Sequence, residues 1–257
     1  TQNRVSQEVR VRFSLRPPTM IKRTITMIKR TIYKGSLFLN LVKYQLKNLI
    51  KPSQINKNLK FIKKYFEKKN LGFYVDVGCF HPIRFSNTLF LYKKGWNGLN
   101  LDLSKRTIDL FNLSRPRDTN LNYGAGDKNC EMEFYYNKDT FQSNTLNVQF
   151  KDYFLKKKYL KKKKIKVKTL SFLLDKYFPH KKIDLLDIDA EGFDYEVLRG
   201  IDFKKNIINL IMIEVHFFSQ ETIDKSIKIR NLLESEGFSL IYGDYPGNCV
   251  FKNKKLD

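Results

Sequence analysis

The apolar positions of this chain recur first at helical spacing and then as short continuous runs. Over 36–49, Leu37, Phe38, Leu41, Val42, Leu46 and Leu49 fall along one side of a helix, with Lys43 and Lys47 on the other. Pro52 ends that pattern. Ile55, Leu59, Ile62, Tyr65 and Phe66 give a second helix, over 53–69, its apolar face. At Phe73 the period changes. FYVDV reads as a strand closing in Gly78 and a loop, a helical stretch follows over 86–94, and GLNLD, ending at Asp102, is a second strand with a carboxylate at its tip. Strand, loop, helix, strand and acidic tip form the first unit of a nucleotide-binding α/β sheet.

The later pattern repeats this alternation. Ser104 is placed to cap a helix reaching Asn112, and 118–123 is a third strand followed by GAGD. EMEFYY, over 131–136, is an extra strand, 140–145 a polar loop, and 151–164 a lysine-rich surface helix or mobile loop. Alternation over 165–170 predicts an edge strand, with Ser171 capping a helix to Phe178. IDLLDI, over 183–188, is a strand ending at Asp189, Glu191 and Gly192, and 194–198 opens a helix. IINLIMIEV, over 207–215, has the continuous apolar character of a buried parallel strand and ends at Glu214 and His216. A helix over 224–236, stopped at Gly237, leads to two closing strands at 238–242 and 249–251. The expected fold is a mostly parallel sheet with helices on both faces.

Charge divides the chain differently. The formal net charge is +23. Residues 1–72 hold 18 Lys and Arg against 2 acids, and residues 151–168 hold 10 against 1, whereas the predicted sheet region is close to neutral. A basic helical arm and a basic loop suit an anionic partner: a membrane surface, a nucleic acid or an anionic glycolipid. The segments expected are therefore 1–19, where Pro17-Pro18 argues against a helix, a basic arm over 20–70, and an α/β domain over 71–257. Within the arm, MIKRTI at Met20 is repeated at Met27. Three widely spaced cysteines form no metal-binding spacing, and no run of about 18 apolar residues or secretory pattern occurs. The expected setting is the cytoplasm, at the inner membrane surface if the arm docks there.

Ligands of such sheets bind outside the carboxyl ends of the strands. Asp76, Gly78, Asp102, Asp127, Asp189, Glu191, Glu214 and His216 collect there. A carboxylate at the end of a buried strand costs desolvation unless it meets a partner, so this set reads as a site. Gly78 admits close backbone approach, and Asp102, 24 positions after it, is spaced to hold both hydroxyls of a ribose. Phe80, His81, Pro82 and Ile83 stand where further glycines would cradle a pyrophosphate. A nucleoside cofactor without phosphates fits better, and S-adenosylmethionine is one. Asp187 and Asp189 share a strand face, and with Glu191 and Glu214 they have the oxygen donors for Mg²⁺; hydrogen bonding to backbone amides is the preferred reading. His81 and Arg84 are read as contacts to an acidic group or as exposed residues, and Trp96 as a packing residue.

Several stretches together resemble the FkbM-type methyltransferases: VDVGCFHPIRFSNTLFLYKKGWNGLNLD, LNYGAGD, FQSNTL, IKVKTLSFLLD, IDLLDIDAEGFDYEVLRG and LIMIEVH, spanning about 71–251. The loop after the first strand carries HP-x-x-x-SNT in place of the commoner DVGANxG, and Asp187 stands where the family often has Lys, Ser or Asn. The resemblance implies a class I, Rossmann-like methyltransferase sheet using S-adenosylmethionine, mostly to O-methylate sugars and small molecules. It implies that Asp76 and Gly78 line the methionine end of the cofactor, that Asp102 holds the ribose, and that Asp127 sits beside the adenine. Asp189 and Glu191 would face the donor methyl and the acceptor hydroxyl, with Asp189, Glu191 or His216 as the base. The function expected is methylation of a sugar hydroxyl on a glycan or glycoconjugate. An RNA methyltransferase, suggested by the basic segments, and a non-catalytic binding module of the same fold are the alternatives.

Overall fold

The computed structural model describes residues 18–50, 57–136, 144–148 and 161–256. The chain divides into two compact units, 1–40 and 41–257. The first, where described, is the start of helix α1 (Pro18–Ile50), 33 residues long. Proline suits the first helical position because its missing N–H would have no partner there, so Pro18 opens the helix and does not exclude it. This corrects the later start at residue 36.

The second unit is an α/β domain. Its elements are α2 (Lys57–Tyr65), β1 (Phe73–Val77), α3 (Leu89–Lys93), β2 (Asn97–Leu101), α4 (Lys105–Ser114), β3 (Thr119–Leu121), β4 (Gly124–Ala125), β5 (Cys130–Tyr136), β6 (Lys161–Lys168), α5 (Leu170–Tyr177), β7 (Ile183–Ile188), α6 (Asp194–Arg199), β8 (Ile208–Glu214), α7 (Gln220–Ser235), β9 (Phe238–Tyr242) and β10 (Asn248–Asn253). Seven strands form one sheet in the order β3-β2-β1-β7-β8-β10-β9. All neighbours pair in parallel except β10, which runs antiparallel to both β8 and β9. Strand order reverses between β1 and β7, which is where such sheets open a binding crevice.

Alternation along the strands sends side chains to two cores. Val75, Val77, Leu186 and Ile188 pack with Leu173, Leu198 and Leu233 from α5, α6 and α7. Tyr74, Leu185 and Leu210 pack with Ile62, Phe66, Leu91 and Trp96 on the opposite face. Trp96 is fully buried and meets Phe66 edge-on at 5.0 Å, as a packing residue should. The lengths of β1 and β7 follow the continuous apolar runs read from the sequence.

Several local expectations change. The lysines at 161–164 belong to strand β6 of a second sheet ordered β4-β6-β5, so they are neither helix nor loop; β4 pairs only with Val167 and Lys168, and the rest of β6 pairs with β5 alone among the described residues. Glu131 and Glu133 of β5 reach Lys164 and Lys162 across this pairing, which neutralises part of the lysine row. Residues 151–160 and 140–143 of the predicted loops lie outside the described residues. Thr169, not Ser171, caps α5, its hydroxyl accepting from Phe172 N; Ser171 donates to Asn206 and accepts from Asp202 N. Helix α7 begins at Gln220, four residues early, behind a reciprocal cap between Ser219 and Thr222. Ser86 Oγ accepts from Thr88 N and Leu89 N, and this turn delays α3 to Leu89.

Candidate functional site

The tips of β1, β2 and β7 meet at the strand-order reversal. Gly78 N and Cys79 N both donate to Leu101 O, and Asp189 N donates to Val77 O, which ties the three tips together. Gly78 has φ +80°, and a Cβ there would lie 1.9 Å from the carbonyl oxygen of Asp189. Glycine is therefore required on two counts, backbone conformation and space.

A cleft opens beside this junction. Asp102, Phe80, Leu103, Tyr123, Leu146 and Phe193 are among its lining residues, with Gly78, Asp189 and Glu191 at its floor and rim. It encloses about 510 Å³ of empty space, part of it open to solvent. Asp102 Oδ2 accepts from Phe80 N at 3.0 Å and Oδ1 from Ser104 N at 2.6 Å. A carboxylate has about four acceptor sites, so each oxygen keeps capacity for a hydroxyl donor. Burial raises the Asp102 carboxyl to about 7.

A second, more polar recess adjoins the first through Gly78, Phe80 and Asp189. Asp76 and Asp187 line it, directly opposed across the β1–β7 pair. Burial pushes Asp76 up to about 6 and Asp187 well above its usual range, the latter pushed further by the Asp76 charge. The HP-x-x-x-SNT loop supplies their partners. Thr88 Oγ1 donates to Asp76 at 2.6 Å, and Asn87 Nδ2 donates to Asp187 at 3.0 Å. Arg115 is 1% exposed and holds that loop from behind. Its Nη1 donates to Thr88 Oγ1, and its Nη2 donates to Ser86 Oγ and Pro82 O. His81 is buried, and its Nδ1 accepts from Ile83 N and Arg84 N. It is not exposed; it shapes the loop, and burial lowers it to about 4.

The β7 tip carries the third group. Glu191 has φ +51° and Gly192 φ +85°, so the chain makes a left-handed turn after Asp189. Asp194 closes this turn by accepting from Ala190 N and Gly192 N. Thr145 Oγ1 donates to Glu191 O and Asn147 Nδ2 donates to Gly192 O, fixing it from the other side. His216 Nε2 lies 3.8 Å from Glu191 Oε2, and its Nδ1 lies 4.0 Å from Asp194 Oδ2. Asp189 Oδ1 is buried and meets no hydrogen-bond partner among the described residues. Burial, then the charges of Glu214 and Asp194, raises Glu191 to about 8; burial likewise raises Asp194 to about 7 and Asp189 well above the carboxylate range. Burial lowers His216.

The structure thus brings together Asp76, Gly78, Asp102, Asp189 and Glu191 around the two recesses, and places His216 in a third recess with Gly192, Asp194 and Lys225, 3.8 Å from Glu191. It does not bring Asp127 to either recess: that residue is exposed beyond β4, and Tyr123, Gly124 and Ala125 of the same stretch line the cleft. Sequence reasoning passed over Arg115, Leu146 and Phe193. Among the described residues no group of three or more His, Cys, Asp or Glu is arranged to hold a metal ion.

These raised carboxylates give a signed pH dependence. A carboxyl whose folded value lies above its unfolded value stabilises the fold while protonated, and that contribution fades as pH rises through the folded value. Asp102 and Asp194 titrate at about 7 and Glu191 at about 8. The melting temperature of the ligand-free protein is expected to fall between about pH 6.5 and 8.0. A flat or rising profile across that window would show the three carboxyls to be ionised already.

The model of the Methyltransferase FkbM domain matches residues 76–240. The chain belongs to the FkbM methyltransferase family. No curated protein matches it. Among solved structures it is similar to a candidate rRNA-methylase from Clostridium thermocellum, at 10% identity and a TM-score of 0.42, covering 77% of this chain and 97% of that one. It is also similar to a TehB-like SAM-dependent methyltransferase from Corynebacterium glutamicum, at 12% identity and a TM-score of 0.41, covering 86% and 100%. Membership of that family makes this protein an S-adenosylmethionine-dependent methyltransferase. The residues present fit that cofactor. Asp102 retains acceptor sites for a ribose, Leu103, Leu146 and Phe193 offer an apolar slot for a base, and Asp189 Oδ1 is a buried acceptor still awaiting a donor.

Proposed function

We propose that this FkbM methyltransferase O-methylates a sugar hydroxyl of a glycan or glycoconjugate. The observation that carries the reading is the acidic rim: Asp189, Glu191 and Asp194 surround the β7 tip, and the Glu214 charge acts on all three. Carboxyl groups that hold their protons both donate to and accept from the neutral hydroxyls of a sugar, and no Lys or Arg is among the described residues lining the cleft to pair with a phosphodiester. An RNA acceptor would have to find its phosphate contacts on the basic segments.

When bound, S-adenosylmethionine supplies a methyl group on a positively charged sulfur, which a hydroxyl oxygen displaces. The chain's own task is to position that oxygen and accept its proton. Glu191, raised to about 8, holds a proton near neutral pH in the free protein and can donate a hydrogen bond to the acceptor. His216, lowered by burial, is neutral there and is the group ready to take the proton; its Nε2 lies 3.8 Å from Glu191 Oε2.

His216→Ala is therefore expected to lower kcat by about 10²- to 10³-fold while leaving cofactor affinity near its original value. The test of the function is transfer of a labelled methyl group from S-adenosylmethionine to parallel glycan, glycolipid and RNA acceptors. Label in a sugar hydroxyl supports the reading. Label in RNA alone, or a His216→Ala enzyme with unchanged kcat, overturns the acceptor class or the base respectively.

A further inference from the structure

The start of α1 is an exposed helix with two chemically distinct faces. Every residue from 22 to 35 is exposed. Ile25, Ile28, Ile32 and Leu39 are 46%, 54%, 66% and 68% exposed, and their spacing sets them in one stripe. Val42 and Leu46 continue that spacing in the sequence. The MIKRTI repeat has a period of seven, close to two helical turns, so Ile25 and Ile32, Lys22 and Lys29, and Arg23 and Arg30 recur on matching faces. Leu37 is the one buried residue over 22–39, and most helical stability in proteins comes from burying an amphipathic face, so the exposed stripe leaves this segment marginal in water.

The charge of the helix selects the occupant. Residues 18–50 contain seven Lys and Arg and no Asp or Glu. A second copy of this helix would bring two wholly cationic segments together, at a repulsive cost. An anionic lipid surface accepts both faces: acyl chains receive the isoleucine stripe while headgroups meet Lys22, Lys29 and their neighbours. No helix among the described residues is long and apolar enough to cross a membrane, so the helix would lie in the interface and not span it. We infer that α1 is an in-plane anchor for an anionic bilayer surface, with Ile25, Ile28, Ile32 and Leu39 inserted and the basic face at the headgroups.

Vesicle co-sedimentation of the full chain tests this. Binding to vesicles of phosphatidylcholine with phosphatidylglycerol is expected to exceed binding to phosphatidylcholine alone by at least about tenfold, and to weaken at high salt. The triple variant Ile28→Glu, Ile32→Glu, Leu39→Glu changes only exposed residues and should lose about tenfold or more of that binding. Its thermal stabilisation by S-adenosylmethionine should match the wild type, which separates loss of docking from loss of fold. Lys22→Ala with Lys29→Ala should lower binding to the anionic vesicles alone. Equal binding to both vesicle types, binding to neither, or a wild-type dimer that the triple variant dissociates would each overturn the inference, the last by assigning the stripe to a second copy.

Discussion

Arg115→Met is expected to destabilise the protein by about 3–5 kcal/mol, the range for removing one partner from a buried charged network. The guanidinium is 1% exposed and donates to Thr88 Oγ1, Ser86 Oγ and Pro82 O. Methionine fills much of the same volume and donates nothing. Three acceptors would be stranded, and Thr88 would lose the donor behind its own bond to Asp76. Packing of Arg115 over Phe111, 4.8 Å from the ring, would be largely kept, so the loss isolates the polar network. Urea denaturation should show a lower midpoint at unchanged slope. A stability within about 1 kcal/mol of wild type would mean that water replaces the guanidinium and that the loop does not depend on it.

Gly78→Ala should have the second large effect, about 2–5 kcal/mol, from a left-handed backbone combined with an overpacked junction. Its Cβ would meet Asp189 O at 1.9 Å and Asp189 C at 2.9 Å, both backbone atoms with no rotamer to escape into. The β1 and β7 tips must separate. Because Asp102, Asp189 and Glu191 share that junction, loss of cofactor binding is expected even in the fraction that folds. Full cofactor affinity in Gly78→Ala would show that the tips move apart without disturbing the cleft.

The sheet was legible because its strands are continuous apolar runs with polar stops. FYVDV, IDLLDI and IINLIMIE each became a central strand within a residue of the expected bounds. The acidic tips were legible for the same reason, since a carboxylate after a buried run must have a purpose. Arg115 was not legible. It follows α4 in a polar stretch, and its partners lie 27 to 33 residues upstream. Nothing local distinguishes a buried arginine from a solvated one. Leu146 and Phe193 face the same difficulty, being single apolar residues in loops that become cleft walls only when they pack with Phe134, Ile165 and Val167 of the second sheet. The lysines of β6 misled because strand pairing is non-local: Glu131 and Glu133, about thirty positions earlier, make that row tolerable as a strand. Asp127 looked like a strand-tip acid and is an exposed turn residue, displaced from the cleft by its own neighbours Tyr123 to Ala125.

The claim at the centre of this account is that the cleft between β1, β2 and β7 holds S-adenosylmethionine through Asp102. Calorimetric titration of the wild type and of Asp102→Ala with S-adenosylmethionine and its demethylated product tests it directly. Saturable one-to-one binding to the wild type, weakened by about 100-fold or more in Asp102→Ala, is the predicted result, since a buried carboxylate accepting two hydroxyl donors accounts for about that much. No binding of either ligand to the wild type, or equal affinity in Asp102→Ala, would contradict it.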